Sequence, residues 1–171
     1  ISLGLVGSEM CIRDRMVTDS ISWNGFYEFD VVLSVPGDAL AGSTATFSMS
    51  AASNGDSSQT ASQEFTAVVD QHYGVTLSVD SDSKENKPGE DVDFIFNITN
   101  TGNGQDNYIL SVSGPAVWNP VLSQNVSSIN AVSVSQFTLT VSIPSDRDAG
   151  ASSGDIVVAV VSSDGVSTAN S

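Results

Sequence analysis

Apolar residues fall at every second position in stretch after stretch of this chain. Tyr27, Phe29, Val31, Leu33 and Val35 share one face, with Glu28, Asp30 and Ser34 on the other. Ala45, Phe47, Met49 and Ala51 repeat the pattern, as do Phe65, Ala67 and Val69. It returns in Val75, Leu77 and Val79, in Val92, Phe94, Phe96 and Ile98, in Tyr108, Leu110 and Val112, and from Phe137 to Ile143. A period of two predicts half-buried strands, and helical periodicity is nearly absent. Turn residues separate these runs. Pro36 ends the first strand because proline cannot donate to a ladder. Asn54-Gly55 predicts a tight turn. In Lys87-Pro88-Gly89, proline sets φ and glycine accepts a positive φ. Asn100–Gly104 predicts a further turn. Gly114-Pro115 is a break, followed by a short strand with Trp118 and Leu122 and then by Ile129. Ile156, Val158 and Val160 predict a central strand, and Val166 the start of the last one.

One stretch occurs twice. FDVVLSVPGDALAG (29–42) aligns with FTLTVSIPSDRDAG (137–150) on Pro36 and Pro144, which sets Phe29 on Phe137, Asp38 on Asp146 and Gly42 on Gly150. Recurrence predicts parts of two like modules. Roughly seven short strands in about 100 residues is the pattern of an immunoglobulin-like sandwich. The predicted fold class is therefore all-β: tandem immunoglobulin-like antiparallel β-sandwiches, the first one incomplete. Residues 16–70 are read as the C-terminal half of a first sandwich, 71–74 as a linker, and 75–171 as a second sandwich lacking its last strand. Half a sandwich leaves its inner face wet, so the first part is expected to be the less stable.

Residues 1–15, ISLGLVGSEMCIRDR, are unlike the rest of the chain and hold the only cysteine, Cys11. Leu5–Asp14 resembles, residue for residue, the translation of a transposase adapter used in DNA-library construction. The segment is read as an adapter-derived artefact and set outside the fold. Charge then narrows the partners. The chain carries 20 acids against five lysines and arginines, a formal charge of −15. Beyond residue 15 the only basic residues are Lys84, Lys87 and Arg147. Nucleic-acid binding requires a basic footprint and docking on anionic lipid a basic patch, so both are disfavoured. With Cys11 set aside no disulfide framework exists, and no apolar run approaches the length of a membrane helix.

The turns add a resemblance. Pro88-Gly89, the N-T-G-N of Asn100–Asn103, Gly114-Pro115, Trp118 and the P-x-D-x-x-A-G of Pro144–Gly150 occur in that order. In this the chain resembles the Ig-like repeats of prokaryotic surface proteins, namely the cell-adhesion-related (CARDB-type) domains and the similar domain accompanying bacterial alpha-galactosidases. The resemblance spans 74–165 and, for its second half, 21–69. It implies a spacer, adhesion or assembly role on an exported protein, with Trp118 packed inside.

Candidate sites are few. One His (His72), no cysteine beyond Cys11 and no G-x-S-x-G leave nucleophilic catalysis unsupported. Asp80, Asp82, Glu85, Glu90, Asp91 and Asp93 cluster near the start of the second module and are candidate calcium ligands, with Asp70 beside them, because calcium takes six to eight oxygens; the plainer reading is a solvated acidic surface. Asn97 and Asn125 head glycosylation sequons. Trp23, Tyr73 and Trp118 are either a sugar-stacking row or packing residues. Asp38 and Asp146 are expected to bond backbone N–H groups in their turns.

The expected function is a non-enzymatic structural or adhesion spacer of a secreted or cell-surface protein, with no cofactor unless calcium. Its expected partners are other modules of the same chain and a cell-surface protein or glycan; direct membrane contact is not expected. The alternative is a carbohydrate-binding accessory module of an exported glycosidase.

Overall fold

A computed structural model describes the backbone of residues 2–7, 15–165 and 168–170 and the side chains from Met16 onward, again excepting 166, 167 and 171. The described chain is all-β, its strand pairs are antiparallel, and contacts divide it into residues 1–70 and 71–171.

The first unit has one sheet. Strands β1 (Ser2–Gly7), β2 (Arg15–Val17), β3 (Thr44–Ala52) and β4 (Thr60–Val68) lie in the order β2-β1-β3-β4. β1 falls in the segment set outside the fold on sequence. Its backbone nonetheless pairs along β3, from Ser2↔Ala52 to Gly7↔Phe47, and supplies partners that an open β3 edge would lack. Cys11 lies outside the described residues. Between β3 and β4 the expected tight turn at Asn54-Gly55 is a wider loop over 53–59. Ser53 Oγ accepts the N–H of Gly55 and Asp56, and Asp56 accepts the N–H and hydroxyl of Ser58. Side-chain acceptors thus set this bend, where a two-residue hairpin would rely on backbone alone.

The strand expected over 27–35 does not form. These residues carry no regular structure and join no described ladder. The period-two contrast survives in exposure: Phe26 and Val32 are 83% and 86% exposed, Phe29 and Val31 36% and 39%. Alternation makes a segment able to be a strand; becoming one takes a neighbour, and no described strand pairs with it. Its later copy has two.

That copy lies in the second unit. There β5 (Val75–Val79), β6 (Asp91–Asn100), β7 (Asp106–Ser113), β8 (Val121–Leu122), β9 (Val126–Ile129), β10 (Val134–Ser142), β11 (Val157–Ser162) and β12 (Thr168–Asn170) form sheets ordered β5-β6-β10-β8 and β12-β11-β7-β9. Phe96, Ile98, Phe137, Leu139 and Val141 of the first sheet and Tyr108, Leu110, Ile129, Val158 and Val160 of the second are buried in one shared core. Phe96 and Phe137 stack at 5.1 Å across directly paired positions. Trp118, expected in a strand, sits in a 3-10 turn over 116–118 and is 8% exposed. The turn opens at Pro115 and closes at Asn119 in the left-handed region, φ 42°. Val166 lies outside the described residues.

The two copied turns agree even though the strands before them do not. Ala39 N–H donates to Pro36 O as Arg147 N–H does to Pro144 O, and Gly42 and Gly150 take φ of 77° and 84°. Proline carbonyls therefore close these turns. The expected carboxylate bonds of Asp38 and Asp146 do not form; Asp146 instead lies 3.8 Å from Arg147 Nε.

No described side chain of the first unit is buried. Fully burying one Val, Leu, Ile or Phe contributes about 1.5–3 kcal/mol, so among the described residues the second unit holds nearly all of this stabilisation. Amides of β3 and β4 are expected to exchange with deuterium faster than those of β6 and β10. Equal or slower exchange in β3 and β4 would contradict this distribution.

Candidate functional site

Polar side chains of the second unit gather at one end of its core. The period that turns Val92, Phe96 and Ile98 inward carries on to Asn100. In β7 the inward phase of Tyr108 and Leu110 begins at Asp106, and in β11 that of Val158 and Val160 ends at Ser162. All three polar residues are buried, at 0%, 3% and 2% exposure. Burial without partners would cost several kcal/mol, and each is satisfied. Asn100 Nδ2 donates to Gly104 O (2.8 Å) and Ile129 O (3.0 Å), while its Oδ1 accepts Gly102 N–H (2.8 Å). Asp106 accepts the Ser162 and Ser163 hydroxyls and Asn107 N–H.

Residues 71–74, read from sequence as a linker, are bonded into this end. Gln71 Nε2 donates to Gln105 O, His72 N–H to Asn103 Oδ1 (2.6 Å) and Asn103 N–H to His72 O (3.1 Å). Gly74 O accepts both Thr101 N–H and the Tyr108 hydroxyl. The strands approach so closely that a Cβ on Gly102 would meet His72 O, and one on Gly74 would meet Thr101 Oγ1. The N-T-G-N motif is thus a clasp: Asn100 holds the turn from inside, Gly102 lets segment 71–74 lie against it, and Asn103 bonds that segment.

The cluster shifts two titrations. Burial pushes the Asp106 carboxyl up, but the hydroxyls of Ser162 and Ser163 and the N–H groups of Asn107 and Ser163 outweigh it and hold it below the ordinary 3.8. Burial, followed by the charge of Asp106, pushes Tyr108 to about 12.

The opposite end is hollow. A cavity of about 240 Å³ is lined by Val92, Phe94, Phe96, Trp118, Leu139, Val141 and Ile156, with Asp82, Lys84 and Ser153 among its polar lining. Lys84 anchors the loop there. Its ammonium bonds Asp80 and Asp93 O and lies 5.4 Å from the centre of the Phe94 ring. That hydrogen bond, with the Ile95 N–H, holds Asp80 below its ordinary range.

The acids proposed for calcium therefore go separate ways. Asp80 is bound to Lys84, and Asp93 accepts the Thr140 hydroxyl (2.7 Å). Asp82, Glu85, Glu90 and Asp91 are exposed, and Asp70 falls in the other unit. Among the described residues no three metal-capable side chains gather. The sequon asparagines differ too: Asn97 is half-buried in β6 and accepts Gln136 Nε2, whereas Asn125 is exposed before β9. Trp23 is 94% exposed in the first unit, Trp118 is buried in the second, Tyr73 is half-buried and His72 exposed. Asn100, Asp106 and Ser162 carry the polar end, and period-two phase would have found them as polar residues on an inward face. No described helix is long and apolar enough to cross a membrane. No family model, curated protein or solved structure matches this chain.

Asp106 has a depressed folded value, so its contribution to stability is complete above the ordinary Asp range and lost as pH falls through that value. Asp106→Asn is expected to lower the unfolding free energy at pH 7 by about 1.5–3 kcal/mol and to flatten the acid limb; an unchanged urea midpoint would contradict the clasp. Tyr108 has a raised value, so its contribution is present below about pH 10 and lost towards about 12. Tyr108→Phe should flatten that alkaline limb. Calcium is expected to leave the melting temperature unchanged, and a saturable rise would restore the calcium reading.

Proposed function

We propose that the chain is a non-enzymatic structural or adhesion spacer of a secreted or cell-surface protein, built from tandem immunoglobulin-like sandwiches. The observation supporting this is what the polar side chains do. Asn100, Asp106, Ser162, Ser163 and the Tyr108 hydroxyl are spent on holding turns and strand ends together. The other acids mostly face solvent and keep the surface charged, which favours solubility and discourages non-specific association. The way successive connections pass between β5-β6-β10-β8 and β12-β11-β7-β9 supports the immunoglobulin-like reading. The work of such a module is mechanical: it holds other parts of the protein away from a surface and presents its loops to other modules, a cell-surface protein or a glycan.

The carbohydrate-accessory reading would need an exposed aromatic row, and Trp118 is instead a core side chain. On a glycan array the chain is expected to retain no sugar, whereas a saturable, Trp118-dependent signal would favour the accessory module. Trp118→Ala should lower stability by about 3–5 kcal/mol, as truncation of a buried aromatic does. A stable Trp118→Ala protein would count against the packing role.

A further inference from the structure

We propose that Asn54 is a site of self-modification, where the Gly55 amide nitrogen attacks the exposed Asn54 side chain and converts it to aspartate and isoaspartate. The step needs only water. The glycine nitrogen gives up its proton to hydroxide and bonds to Cγ of the asparagine. The Cγ–Nδ2 bond breaks, and Nδ2 takes a proton from water and leaves as ammonia. A second water opens the five-membered imide that remains. Opening at the side-chain carbonyl gives aspartate; opening at the backbone carbonyl gives isoaspartate, whose main chain runs through Cβ and Cγ.

Asn-Gly occurs at Asn24-Gly25, Asn54-Gly55 and Asn103-Gly104, and the fold treats the three differently. Reaction requires a glycine N–H that is free and an asparagine side chain that can swing onto it. Gly25 N–H donates to Ser22 O at 2.9 Å, and a Cβ on Gly25 would stand only 2.8 Å from Ser22 Oγ. Asn103 is held by its side chain, since Oδ1 accepts His72 N–H at 2.6 Å. Asn54 has neither restraint. It is exposed, and no described hydrogen bond engages its side chain. Gly55 N–H reaches only Ser53 Oγ, at 3.3 Å, which is long for a hydrogen bond. The surroundings are open: beyond the adjacent residues, the nearest atom to a Cβ on Gly55 is that same Oγ, at 3.8 Å. A two-residue hairpin would also fix Asn and Gly at positive φ; in the wider loop over 53–59 neither has one. Conversion adds a carboxylate close to Asp56, and the isoaspartate form adds a methylene to the backbone inside the Ser53–Gly55 bond. This inference is independent of the spacer reading, which would stand if it failed.

Incubating the whole chain in mildly alkaline buffer tests it, with mass spectrometry of its peptides reading the exchange of NH2 for OH at each of the three asparagines. Asn54 is expected to convert fastest, at a rate that rises with pH. Asn103 should be slower by about tenfold or more, because its bond to His72 must break first. In urea the three rates should converge, since the fold alone separates them. Gly55→Ala, which the open space accommodates, should slow Asn54 and leave Asn24 and Asn103 as they were. No conversion at Asn54, conversion of Asn24 or Asn103 as fast as Asn54 in the folded chain, or a ranking that persists in urea would each overturn the proposal.

Discussion

The second unit depends on how one buried carboxamide is satisfied. Asn100 is wholly enclosed, and its side chain spans three backbone groups: Gly102 N–H, Gly104 O and Ile129 O. A buried amide without partners would cost more than the burial around it returns, so the turn after β6 and the end of β9 must both be in place. Ile129 belongs to the sheet opposite β6. One side chain therefore joins the two sheets where their apolar core ends, and a mutually satisfied network of this kind gives the interface a single register. Asp106 acts within one sheet, tying the start of β7 to the end of its neighbour β11.

This polar end explains the lead-in. Segment 71–74 is held because Asn103 bonds it, Gly102 has no side chain to push it away, and Gly74 O receives Thr101 N–H and the Tyr108 hydroxyl. The hollow end is closed differently, by Trp118 in its 3-10 turn and by the Lys84 stem and ammonium laid against Phe94, Asp80 and Asp93. The first unit has no equivalent buried polar network among its described residues and no buried side chain.

The period of two makes β3 through β7, β10 and β11 legible, because a side-chain face is a local property. Pro88-Gly89 is legible for the same reason, and Gly89 takes a φ of 85°. Pairing is not local. Residues 27–35 and 137–143 have nearly the same pattern, yet only the second copy sits between partners, β6 and β8. Reading 71–74 as a linker misses its bonds for a related reason, since their acceptors and donors lie about thirty residues on, at Asn103, Gln105 and Tyr108. Asn100 reads as part of a turn because asparagine favours turns; its inward phase, two residues past Ile98, is the stronger clue. The candidate calcium ligands lie close together in sequence, but Lys84 and Thr140 engage two of them, Asp80 and Asp93.

The most direct test is Asn100→Asp, which keeps the shape and exchanges the Nδ2 donor for an oxygen facing two carbonyls. The account predicts that urea unfolding of the second unit at pH 7 loses about 3 kcal/mol or more, and that the amide protection of His72 falls with it. Stability within about 0.5 kcal/mol of the parent, with that protection intact, would contradict the central role given to Asn100.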